Sequence, residues 1–157
     1  MPISRSDPET AVAAAEADDA GRGYVLDEQI GFVLRRAYQR NSMIFAERVP
    51  GPLTPTQFSV MCRLDEAGPL SQNRLGRSVA MDAATTKGVV DRLIGRGLLA
   101  TRRDPEDGRR HLVYLTAAGA ELIDAARPAA AEVTEETLAP LTAPERRRLL
   151  HLLSKLA

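Results

Sequence analysis

Few residues in this chain of 157 have the chemistry to make or break a bond. Its two histidines are His111, in a strand-like run, and His151, on a leucine-rich segment. Neither has an obvious catalytic companion. Gly-rich phosphate loops, Gly-x-Ser-x-Gly elbows and Cys/His metal spacings are all missing, so no enzyme, cofactor or metal is expected. Cys62 is the single cysteine, which rules out an internal disulfide and points to a reducing, cytoplasmic setting. The chemistry that remains is ionic. Formal charge sums to zero, yet the stretch from Ser71 to Arg110 holds nine basic and five acidic residues, a net of +4. A locally cationic segment suits a polyanion, because each neutralised phosphate releases counterions.

Apolar periodicity and end signals show which elements must position those charges. Helical spacing starts near Val25 and carries Ile30, Val33, Leu34, Ala37, Ile44 and Phe45 until Pro50-Gly51-Pro52 stops it. Thr54, Pro55 and Gln57 spell a capping box for a second helix bearing Phe58, Met61 and Cys62, which Gly68-Pro69 ends. Ser71 is expected to cap a short third helix holding Leu75 and Val79. After a turn at Ala80-Met81, Asp82 caps a fourth helix whose inner side is Thr86, Val89, Val90, Leu93 and Ile94. Gly97 supplies its left-handed stop.

The pattern then changes to two strands, Leu98 to Arg103 and Arg110 to Leu115, around the turn-forming Asp104-Pro105-Glu106-Asp107-Gly108. Thr116 caps a fifth helix that Pro128 is expected to kink or break near Arg127. A capping box at Thr142 to Glu145 opens a last, leucine-rich one. Two short helices joined by a tight turn and followed by a hairpin make a winged helix-turn-helix. Its second helix can enter a major groove while the wing reaches a minor groove. The expected fold is therefore mainly α, with a two-stranded wing. Residues 1–23, rich in Ala, Asp and Glu, read as a flexible tail, and no run is long and apolar enough to span a membrane.

Three groups of residues resemble the MarR family of bacterial regulators. Asp107-Gly108-Arg109 followed by Leu115-Thr116-Ala117-Ala118-Gly119 is similar to its wing signature. Val90-Asp91-Arg92-Leu93 with Arg96-Gly97-Leu98 is similar to the end of its recognition helix, and Leu75-Gly76-Arg77 precedes Met81-Asp82 in matching order. The resemblance implies a winged domain over residues 53–115, with dimerisation helices at 24–52 and 116–157. It also implies a homodimer on a near-palindromic operator of double-stranded DNA, usually as a repressor. A small aromatic effector would release it; an aromatic acid or its coenzyme A thioester fits the paired arginines. The chain departs from the family in having Ala84 and Gly88 where a Ser or Arg is frequent, so its reading surface is small.

Against that frame each candidate residue has a task. Arg109 would enter a narrow minor groove, with Asp107 orienting it through an ion pair. Ala84, Thr85, Lys87 and Gly88 would form the reading face, where Ala meets a thymine methyl and Lys87 a phosphate or guanine. Ser71, Gln72, Asn73 and Arg77 would position the backbone, while Arg102 and Arg103 either hold phosphates or merely snorkel. Arg36 and Arg40, one helical turn apart, fit either a clamp on an effector's acid group or intersubunit ion pairs. Met43 and Phe58 fit a pocket lining or core. Cys62 fits a buried core thiol better than a redox switch. A helical adaptor that binds only protein through a winged scaffold is the rival from another class.

Overall fold

The computed structural model describes residues 23–156, so nearly all of the expected N-terminal tail lies outside the described residues. The chain divides into two units at Tyr38/Gln39. In the first, a 3-10 turn at Leu26–Glu28 leads into helix α1 (Ile30–Arg48), the rest of which belongs to the second unit. Ile30, Val33 and Leu34 are exposed on α1, whereas Ile44 and Phe45 near its end are buried.

The second unit continues with α2 (Pro55–Ala67), β1 (Leu70–Ser71), α3 (Gln72–Ser78), α4 (Ala83–Gly95), β2 (Leu99–Arg103), β3 (His111–Leu115), α5 (Ala117–Thr137) and α6 (Ala143–Ser154). The start signals act as their chemistry predicts. Thr54 and Gln57 form a reciprocal capping box, Asp82 accepts the Thr85 amide, Thr116 accepts the Gly119 amide, and Thr142 pairs with Glu145. The Thr85 hydroxyl and amide hold the Asp82 carboxyl below its usual range, and Thr142 does the same for Glu145. Gly97 stops α4 at φ +72, as only glycine does cheaply. Ala80, in the turn between α3 and α4, takes φ +54 despite its Cβ.

Three expectations need correction. The wing is part of a three-stranded antiparallel sheet ordered β1-β3-β2, because Leu70 and Ser71 pair with Val113 and Leu112. Ser71 is thus extended in a ladder, and its side chain makes no cap bond although it occupies the N-cap position of α3. Pro128 does not break α5, which runs unbroken from Ala117 to Thr137. Ile123 and Ala126 before the proline and Val133 after it are all buried, and their burial outweighs one lost backbone bond. Ile94 is 37% exposed, off the buried stripe of α4.

The core joins α2, α3, α4, the sheet and α5 through Val60, Met61, Leu75, Leu93, Leu99 and Ile123, all almost fully enclosed. Each such side chain contributes about 1.5–3 kcal/mol through burial. Two glycines allow the closest approaches. A Cβ on Gly119 would sit 2.1 Å from the Leu98 carbonyl oxygen, and one on Gly76 would sit 2.6 Å from the Thr86 hydroxyl. At the Gly119 corner, the Thr116 hydroxyl donates to the Gly97 carbonyl and its amide to the Leu98 carbonyl, pinning α5 to the end of α4.

Candidate nucleic-acid interface

Helix α4 has two unlike sides. Thr86, Val89, Val90 and Leu93 are buried, with the Thr86 hydroxyl donating to the Asp82 carbonyl. Ala83, Ala84, Thr85 and Lys87 are exposed, and Gly88 is half-buried beside the Arg92 guanidinium, which would lie 3.7 Å from a Cβ there. The outer side is therefore low relief, letting a partner approach the helix backbone. Lys87 is ion-paired with Asp91 one turn on. Thr85 is committed to the Asp82 cap through both its amide and its hydroxyl.

At the hairpin tip, Asp107 does not pair with the Arg109 side chain as expected. One of its oxygens accepts the Arg109 backbone amide at 3.1 Å and the other faces Arg110 Nε at 3.5 Å. A carboxylate two residues before an amide closes this local turn more readily than it reaches the neighbouring guanidinium. Arg109 is exposed and has no ion pair among the described residues. On β2, Arg102 lies over the Tyr114 ring at 5.7 Å, while Arg103 is exposed opposite His111 in the ladder.

Strand β1 brings α3 against the base of the wing, and a cleft of about 540 Å3 opens between them. Residues 71–74 and Arg77 line one side, Arg110 and His111 the other. The structure thus gathers Ser71, Gln72, Asn73 and Arg77, all foreseen as backbone contacts. It adds Arg74, Arg110 and His111, which were not singled out because the pairing of β1 with β3 leaves no periodic signal in a two-residue strand. Arg96 was also missed as a fastener: its guanidinium donates to the Pro52 carbonyl at 2.8 Å and to Gln57 Oε1 at 3.4 Å. It therefore ties the end of α4 to the start of α2.

The effector candidates scatter. Arg36, in the first unit, pairs with Asp27 at 3.2 Å and lies over Phe32. Arg40, in the second, donates to the Glu136 backbone carbonyl at 3.3 Å. Met43 is 59% exposed, whereas Phe58 packs edge-on against Phe45 at the core margin. Cys62 is half-buried at that margin rather than enclosed, and burial raises its thiol above the ordinary range against the opposing pull of Arg127.

A winged helix with a low-relief outer face on α4, a cationic cleft and an arginine at its tip without an ion pair among the described residues is a surface suited to DNA, and sequence comparison names the family. The MarR family model matches residues 53–111, and the chain is 42% identical over 134 residues to the HTH-type transcriptional repressor NicR of Pseudomonas putida, covering 85% of each. The chain belongs to the MarR family. It is a DNA-binding transcriptional regulator of the winged-helix kind. A solved structure of a probable transcriptional regulator from Pseudomonas aeruginosa is 50% identical, with a TM-score of 0.82 over 85% of this chain and all of that one. Bordetella bronchiseptica BpsR, whose DNA binding is regulated by 6-hydroxynicotinic acid, is 40% identical, with a TM-score of 0.80 over 86% of this chain and 97% of that one. Among the described residues no helix is long and apolar enough to cross a membrane, and no cluster of metal-binding side chains occurs.

Proposed function

We propose that this MarR-family regulator is a homodimeric repressor that grips a near-palindromic operator and lets go when a small aromatic acid binds. One observation carries the DNA half of the reading: α4 buries Thr86, Val89, Val90 and Leu93 completely while presenting Ala83, Ala84, Thr85 and Lys87 to solvent. A helix so divided is fixed in place and free to enter a major groove, where Ala84 can meet a thymine methyl and Lys87 a guanine or phosphate. Gly88 keeps the helix backbone close to the base edges. Arg109 enters the adjacent minor groove, Arg103 holds a phosphate beside it, and Asp107 shapes the tip. Ser71, Gln72, Asn73 and Arg77 set the position on the backbone.

The dimer brings two reading helices to successive major grooves about 34 Å apart. Residues 24–52 and 116–157 supply the joint, supported by exposed Leu149, Leu150 and Leu152 on α6 and by exposed Ile30, Val33 and Leu34 on α1. Regulation of BpsR by 6-hydroxynicotinic acid favours an aromatic acid as effector, with the acid itself preferred to its coenzyme A thioester. Arg40, whose guanidinium donates to the Glu136 backbone carbonyl and has no ion pair among the described residues, meets the carboxylate, and exposed Met43 lies near it on α1. The effector acts by favouring a dimer whose reading heads are wrongly spaced, which requires different affinity for the two arrangements.

The test is fluorescence anisotropy on a palindromic fragment of the protein's own promoter. Arg109→Ala should weaken binding about tenfold or more, equivalent to ~1.4 kcal/mol or above, without lowering the melting temperature. Undiminished affinity in that variant would sink the role of the wing.

A further inference from the structure

The cleft between α3 and the base of the wing has a cationic lining. Arg74 and Arg77 lie on its helical side and Arg110 and His111 on its strand side, with Ser71, Gln72 and Asn73 adding neutral donors. No carboxylate is among the described residues that line it. Arg74 and Arg77 are exposed and have no ion pair among the described residues. Arg110 is held by Asp107, whose contact is to the guanidinium Nε. Across the ladder, His111 stands opposite Arg103. His111 thus shares the cleft lining with Arg110, Arg74 and Arg77, and Arg103 is its ladder partner on β2. Asp107, in the hairpin, is the acidic group paired with Arg110.

A protein that reads a major groove with one part and a minor groove with another must straddle the ridge of phosphates between them. The cleft lies beside that path, between α3, the helix before α4, and the base of the wing. We propose that it seats a phosphodiester of the operator backbone and that His111 is a proton-dependent ligand of that phosphate. This rests on the DNA-binding reading above and adds Arg74, Arg110 and His111 to it. A phosphodiester carries one negative charge on two free oxygens, which the forked arginines can share. A phosphate in the cleft favours a charged imidazole, so the ring gains a proton as DNA arrives. Histidine is the side chain whose charge changes most readily near neutrality, and DNA affinity therefore rises as pH falls through that range.

The full-length protein is titrated with its operator fragment and with a scrambled duplex across a salt series, from about pH 8 to about pH 6. Wild type should tighten on both duplexes as the pH falls, by about threefold or more. His111→Gln should match wild type near pH 8 and lose that gain. The double substitution Arg74→Ala/Arg110→Ala should weaken both duplexes by a similar factor and reduce the log–log salt slope by about one, the mark of a lost phosphate. Melting curves establish that the variants are folded. The seat is overturned if His111→Gln tracks the wild-type pH profile, or if the double variant keeps the full salt slope while Arg109→Ala still impairs binding. A wild-type protein that binds neither duplex overturns the DNA reading and the seat together.

Discussion

Cys62 illustrates how a single residue's surroundings set its reactivity. It lies beside the core on α2, half-buried, with Arg127 favouring the thiolate and burial opposing it. Burial is the larger effect, so the thiol holds its proton above the usual range and is a poor nucleophile at neutral pH. Micromolar hydrogen peroxide should therefore leave DNA affinity unchanged, and Cys62→Ser should bind the operator like wild type. A peroxide-dependent loss of binding that the serine variant lacks would contradict this. Asp107 teaches a related lesson. Its spacing from Arg109 suggested an ion pair, but local turn closure captured one oxygen and Arg110 took the other.

Among the elements, the corner where β3 hands over to α5 is the most tightly specified. Thr116 caps α5 while its hydroxyl reaches the Gly97 carbonyl, and Gly119 lies against the Leu98 carbonyl with no room for a methyl group. The Leu-Thr-x-x-Gly run thus has a packing reason: it locks the helix after the wing onto the chain that leaves α4. Gly119→Ala should cost about 1–3 kcal/mol by forcing that backbone apart, measured by urea denaturation. An unchanged midpoint would show the corner to be soft. Arg96 performs a similar fastening at the other side of α4, through the Pro52 carbonyl and Gln57.

At the scale of the whole molecule, charge and apolar surface are distributed unevenly. A chain of zero formal charge concentrates cations around α3, α4 and the wing, while α6 exposes Leu149, Leu150 and Leu152, and Leu156 is exposed just after it. So much bare leucine on one short helix fits a surface covered by a second copy. Leu150→Asp should convert the proposed dimer to monomer in sedimentation or light scattering and weaken operator binding in parallel. A variant that stays dimeric with full affinity would place the joint elsewhere.

Helix boundaries, caps, the left-handed stop at Gly97 and the winged order of elements were legible in the sequence, because each depends on residues within a few positions of one another. The family resemblance across residues 71–119 was legible for the same reason. What the linear pattern could not settle involved partners distant in the chain. The pairing of Leu70-Ser71 with β3, the unbroken passage of α5 through Pro128, and the meeting of Arg74 with Arg110 and His111 all depend on surfaces made only when α3, the sheet and α5 pack together. Local propensity is a sum over neighbours, whereas a cleft, a buried stripe and a shared ladder are properties of the folded chain.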